Sequence, residues 1–242
     1  MYKKIKKIYK NSLFYKNILT KARIPCYNKT EGCHNGDTIF WEWIFMYKLC
    51  KTEQSTKRQR EIENALLELM AKKPYSEISI TELCEKLSRP RKTFYRYFDS
   101  KEDTLYALIE HTMSEYQSFP AAPNFEGKRT LMGEIENYYK FWICHKPLLD
   151  ALYKNNMLEK IIDVSINFPV NDMVSLQKFL PDDSDWAREK IFKFAVSGLC
   201  FQMIDWYKSG FKTSISDMAR ISCRTLSKPL FPDLDKLGIE LE

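Results

Sequence analysis

The sequence predicts an all-α protein in two helical parts, and three observations carry that expectation. Only seven of its 242 residues are glycine while 14% are aromatic, a composition suited to packed helices more than to turns and strands. Apolar residues recur three and four apart along most of the chain from residue 56 onward. Between residues 79 and 101, SITELCEKLSRPRKTFYRYFDSK reads as two short helices, a tight turn and the cap of another helix.

The elements follow in order. A first helix is expected over 56–73, with Ile62, Ala65, Leu66, Leu69 and Met70 as its apolar stripe and Pro74 as its stop. Lys57 and Arg58 then fall in its first turn, against the helix dipole, a conflict that a nearby phosphate would relieve. Ser79-Ile80-Thr81-Glu82 reads as a capping box, in which Ser79 takes an orphan N–H and Glu82 reaches back to the cap. Ile80, Leu83, Cys84 and Leu87 recur behind it on one face. Ser88 and Arg89 leave room for a turn only, and Pro90 suits the first position of a third helix. In that helix Phe94 and Phe98 share a buried side, and Arg91, Lys92, Tyr95 and Arg96 project the other way. Asp99 and Ser100 cap a fourth helix whose Leu105, Leu108, Ile109 and Thr112 face inward.

A boundary is expected at Phe119-Pro120-Ala121-Ala122-Pro123-Asn124. Beyond it Leu131, Ile135, Tyr138 and Trp142 mark a helix closed by Pro147, another runs over 148–164, and Pro169 and Pro181 bracket a further one. Asp182 to Asp185 open the most apolar helix of the chain, 186–207, which Ser209 and Gly210 stop. Ile215, Met218, Ala219, Ser222 and Leu226 form the stripe of a last helix. The expected domains are therefore a basic extension over 1–54, a helix-turn-helix unit over 55–117 built on the first three of these helices, and a helical C-terminal unit over 118–242.

Charge adds function to this outline. Lys86, Arg89, Arg91, Lys92, Arg96 and Lys101 stand against one acid, Asp99. A short cationic helix carrying an exposed aromatic, set at an angle to its predecessor, is what a helix-turn-helix offers to the major groove. The formal net charge is +6, yet residues 1–51 hold eleven Lys and Arg against Glu31, Asp37 and Glu42. That segment has two readings: a basic arm that tracks DNA or an anionic membrane, or sequence outside the folded protein, translated upstream of a start at Met46. The second is the expectation. Seven scattered cysteines without a CxxC pair point to reduced thiols in a cytoplasmic protein. Cys33-His34 and Cys144-His145 have no second pair at ligand spacing, so neither metal nor cofactor is expected. No apolar run approaches the ~20 residues that span a bilayer. No nucleophile motif or phosphate-binding glycine loop is present, so no catalytic residue is assigned.

Lys92-Thr93-Phe94-Tyr95-Arg96-Tyr97-Phe98, followed by Ser100-Lys101-Glu102, resembles the signature of the tetracycline-repressor (TetR) family of bacterial transcription regulators. The resemblance covers residues 56–111. It implies a two-domain, all-helical homodimer with an N-terminal helix-turn-helix domain and a C-terminal domain for dimerisation and ligand binding, in many members releasing DNA when a small molecule enters. The family commonly has Gly at position 88 and an apolar residue at 89, where this chain has Ser88 and Arg89, so a differently set turn is expected. Arg91 and Lys92 are assigned to guanine edges and Thr93 to a thymine methyl or a phosphate. Ser79, Thr81, Tyr95 and Lys101 are assigned to phosphates, with Lys57, Arg58 and Arg96 completing the DNA-binding set.

Three readings of function are weighed. The first is a ligand-responsive repressor that binds a near-palindromic double-stranded DNA operator as a homodimer. The second keeps the DNA domain but places it under a protein partner with no small-molecule effector. The third is an enzyme without a recognisable motif. Tyr138, Tyr139, Trp142, Phe194 and Phe201 are the candidate lining of an effector pocket, although core packing explains them equally. The helix 186–207 is apolar on nearly all sides, so the dimer interface is placed there and on the last helix, at Val196, Leu199, Met203, Met218 and Ser222.

Overall fold

The computed structural model describes residues 47, 48, 50, 52–119, 130–167 and 179–227. The basic stretch up to residue 46, the prolines of the expected boundary, and the helix expected between Pro169 and Pro181 up to residue 178 lie outside them. Among the described residues the chain is helical, with no strand; one antiparallel bridge joins Tyr47 to Phe98.

Helix α1 (Glu53–Lys72) starts earlier than its apolar stripe, because Thr52 and Ser55 cap each other reciprocally. Its first turn therefore contains Glu53, and Lys57 and Arg58 lie beyond it, which removes the dipole conflict read from the sequence. Ile62, Ala65, Leu66, Leu69 and Met70 are all buried. A 3-10 turn (Tyr75–Glu77) leads to α2 (Ile80–Lys86), a tight turn, and α3 (Arg91–Phe94). Helix α4 (Lys101–Glu115), capped by a reciprocal Ser100 and Asp103 pair, packs on α1 with Leu105, Leu108, Ile109 and Thr112 inside.

The α1–α4 interface contains a buried carboxylate. Glu63 receives Arg60 at 3.2 Å and the Nδ1 of His111 at 2.9 Å. Arg60 reaches on to Glu115 at 3.6 Å, and Glu115 meets the Nε2 of His145 at 3.4 Å. A buried ion needs this density of partners, since leaving one unpaired costs several kcal/mol.

The second part holds α5 (Leu131–Cys144), α6 (Lys146–Lys154), α7 (Glu159–Asn167), α8 (Asp185–Lys208) and α9 (Ile215–Ser227). The expected single helix over 148–164 is two, because the chain turns at Asn155 and Asn156, the latter at φ 55. Pro147 sits inside the first turn of α6 rather than closing α5, which ends at Cys144. Helix α5 packs against α9, and α7 against α8; α4 meets α7, and α1 meets α6, so the two parts share a continuous interior. Among the described residues no helix is long and apolar enough to cross a membrane.

Candidate nucleic-acid interface

The turn between α2 and α3 is built on Ser88, whose φ of 51 lies in the left-handed region that favours glycine. Ser88 N–H donates to the Glu85 carbonyl and Arg89 N–H to that of Cys84, closing the end of α2 within two residues. Ser79 caps α2 by accepting the Glu82 N–H at 3.1 Å. The reciprocal half of the expected capping box is absent: the Glu82 carboxylate is taken by Lys73. Pro90 is the residue before the first turn of α3, not its first member, and its missing N–H is still without consequence there.

Helix α3 is anchored by aromatics. Phe94 and Phe98 are buried with ring centroids 5.7 Å apart, and Tyr97 is buried beside them. With that side committed to the core, Arg91, Lys92, Tyr95 and Arg96 stand exposed on the other. The Arg91 guanidinium lies 6.0 Å from the Tyr95 ring centre and donates to its hydroxyl at 3.3 Å. The two therefore form a braced cationic surface.

The six basic residues of this region divide by what holds them. Lys86 is paired with Glu68 at 2.6 Å and Arg89 with Glu61 at 2.9 Å. Lys101 donates to the Tyr75 carbonyl at 2.6 Å and the Ile78 carbonyl at 2.7 Å, with the Tyr75 ring centre 4.1 Å from its ammonium. Burial, and the Lys73 ammonium nearby, lower its pKa. Among the described residues no carboxylate lies within ion-pair distance of Arg91, Lys92 or Arg96. The unspent positive charge thus sits on α3 and the turn after it.

The other assigned residues are placed less uniformly. Thr81 and Lys57 are exposed and Arg58 is half-buried. Thr93 is half-buried and faces a small cleft with Ile62, Leu83, Cys84, Leu87, Arg89 and Phe94, so its side chain is turned toward the α1–α2 surface. Lys101 has two of its three donors committed to carbonyls, which makes it a brace of the turn before α2 before it can be a phosphate contact.

One part of the site was missed in the sequence. Lys48 N–H donates to the Tyr97 carbonyl at 2.9 Å, and its ammonium donates to the Tyr95 carbonyl at 2.6 Å and to Asp99 at 2.7 Å. Tyr47 packs on Phe98 and edge-on to His111 at 5.1 Å, where burial and the Glu110 carboxylate raise its pKa. These residues brace the end of α3 from more than forty positions upstream. The signal was an aromatic next to a lysine just after Met46, which nothing local distinguishes from the rest of a Lys- and Tyr-rich segment.

In the second part, Tyr139 and Trp142 are buried and Tyr138 half-buried. Tyr138 OH meets the Cys200 thiol at 3.5 Å, Cys200 meets Ser165 Oγ at 3.2 Å, and Tyr139 OH meets Ser222 Oγ at 2.7 Å. Phe194 and Phe201 do not join them: they are 72% and 67% exposed on the opposite side of α8. Val196, Leu199, Met203 and Ser222 are buried within the subunit and Met218 is half-buried. Apolar side chains left outside on α8 and α9 are Trp186, Ile191, Phe194, Phe201 and Ile221.

Residues 62–108 match the family model described as bacterial regulatory proteins, tetR family. No curated protein sequence matches the chain. Among solved structures, the chain is similar to the dihydroxyacetone kinase operon activator DhaS at 18% identity and a TM-score of 0.46, over 69% of this chain and 93% of that one. It is similar to the fatty acid degradation regulator FadR from Bacillus halodurans at 16% identity and a TM-score of 0.47, over 75% and 98%. It is also similar to a tetR-family transcriptional regulator from Streptomyces coelicolor at 14% identity and a TM-score of 0.45, over 73% and 80%.

Proposed function

We propose, from the membership of residues 62–108 in the tetR family of bacterial regulatory proteins, that this transcription regulator is a ligand-responsive repressor binding a near-palindromic operator as a homodimer. The observation that carries the DNA reading is the division of charge. Three cations that have no carboxylate partner among the described residues project from α3 and the turn after it, while the other three of the same run are consumed by structure. Arg91 and Lys92 read base edges, since Arg and Lys match guanine O6 and N7. Arg96, Lys57, Arg58 and the hydroxyls of Ser79, Thr81 and Tyr95 fix register on phosphates. Membership in a regulator family argues against the enzyme reading.

The dimer is proposed on the outer faces of α8 and α9. Phe194 and Phe201 are seven residues apart and Trp186 eight residues before Phe194, which is one stripe of a helix. The exposed Gly198 lies between the two phenylalanines and would let a second copy approach closely. The effector site is proposed at the Tyr138–Cys200–Ser165 chain, where polar groups converge in an apolar interior shared by α5, α7 and α8.

Selection of DNA from a random-sequence library tests the central reading. The wild-type chain enriches one sequence with two inverted halves, and Arg91→Ala loses about 1–3 kcal/mol of preference at one base pair in each half. Equal weakening of Arg91→Ala on selected and random DNA would contradict the assignment of Arg91 to a base.

A further inference from the structure

The turn that sets α2 is held from the C-terminal part of the chain. Tyr75 follows Pro74 and opens the 3-10 turn, so its N–H has no acceptor within that turn. The acceptor is Oδ1 of Asn155, eighty residues away, at 2.5 Å. The same carboxamide donates through Nδ2 to the Ala151 carbonyl at 2.7 Å and to the Met70 carbonyl at 3.4 Å. Its orientation is fixed by this pattern, since Nδ2 faces two carbonyls and Oδ1 faces an N–H. Lys154 adds a bond to the Ala71 carbonyl at 2.8 Å. Two of the carbonyls that end α1 are therefore capped by the end of α6 rather than by local sequence.

The Tyr75 carbonyl, in the next peptide group, is held by Lys101 of α4, which also holds the carbonyl of Ile78, the residue before the Ser79 cap. The stretch on which α2 begins is thus gripped by α6 on its N–H side and by α4 on its carbonyl side. Helix α3 is carried on α2, so displacement of the α6 end shifts the seat of the reading helix.

We propose that Asn155 is a positioning residue for DNA binding, through which the C-terminal part sets the helix-turn-helix. This rests on the reading of α3 as the DNA-reading helix. The residue itself touches no DNA in this account; it acts through the Tyr75 peptide.

The test compares Asn155→Ala, the near-isosteric Asn155→Leu, and Asn155→Asp, which keeps the acceptor and loses the donors. Amide exchange at Tyr75 is measured by NMR, and affinity is measured for the DNA enriched by wild type and for random DNA. With Ala or Leu, whichever folds, Tyr75 exchange accelerates about fivefold or more, the scale of one lost hydrogen bond. Affinity for the enriched DNA falls by a similar factor, with random-DNA affinity and oligomer mass unchanged. Asn155→Asp recovers most of both. The proposal is overturned if Tyr75 exchange stays at the wild-type rate, if affinity on enriched DNA is unmoved, if both DNAs weaken alike, or if Asp is no better than Ala or Leu. A wild-type chain that enriches no sequence would instead overturn the DNA reading itself, and that lane alone distinguishes the two failures.

Discussion

Ser88 shows what one residue contributes to the interface. A left-handed conformation costs an L-residue roughly 1–2 kcal/mol, and glycine avoids it at an entropic cost of roughly 0.5–1 kcal/mol. Ser88→Gly is therefore expected to raise stability by a few tenths to about 1 kcal/mol in urea unfolding, with operator affinity retained. A loss of stability would mean that the Ser88 side chain makes a contact the turn depends on. Lys101 is a second case. Because two carbonyls accept two of its N–H donors, Lys101→Met should weaken enriched DNA more than random DNA and change the salt slope by less than the ~0.9 unit expected of a full phosphate contact. At this scale the sequence was informative about type and poor about partner. The cationic run was plain, but which of its members were spent on Glu61, Glu68 and two carbonyls depends on residues distant in the chain.

At the scale of elements, α8 separates two kinds of apolar residue. Val196, Leu199, Met203 and Trp206 are buried in the subunit, whereas Trp186, Phe194 and Phe201 stay outside. Phe194→Glu combined with Phe201→Glu should yield monomers in light scattering with an unchanged helical spectrum. Val196→Asp should instead unfold the chain, because it buries an unpaired charge at a cost of several kcal/mol. Nothing lies within 4 Å of a Cβ added at Gly198, so Gly198→Leu should not disturb the subunit and should disrupt a close-packed dimer. Stable dimers from both the double glutamate variant and Gly198→Leu would place the interface elsewhere. The surplus of apolar surface on this helix was legible in the sequence. Its facing was not, since a helix apolar on nearly every side has no phase to read. The break at Asn156 was overlooked although the pattern carries it: Leu148 and Leu152 share one face, Ile161 and Val164 share another, and the nine residues from Leu152 to Ile161 are two and a half turns.

In the whole molecule, the helix-turn-helix is braced by residues before and after it in the sequence: Tyr47 and Lys48 hold the end of α3, and Asn155 holds the turn before α2. Local pattern located α1 to α4, their stripes and the exposed cationic face proposed to read DNA; long-range braces have no local signature and were invisible. A chain beginning at Met46 keeps Tyr47 and should match the full chain in thermal unfolding. One beginning at Thr52 loses that ring from Phe98 and His111 and should be less stable by about 1.5–3 kcal/mol, the value of burying a large apolar side chain. Equal stability of the two truncated chains would show that the Tyr47 contact contributes nothing.

The central claim is that two copies of α3, fixed by a dimer, read one face of a DNA duplex. Hydroxyl-radical footprinting of the wild-type chain on its enriched DNA tests it most directly. Two protected half-sites are expected, centred about 34–36 Å apart, one helical turn, and both lost in the Phe194→Glu, Phe201→Glu monomer. A single asymmetric protected site, equally filled by that monomer, would contradict the account.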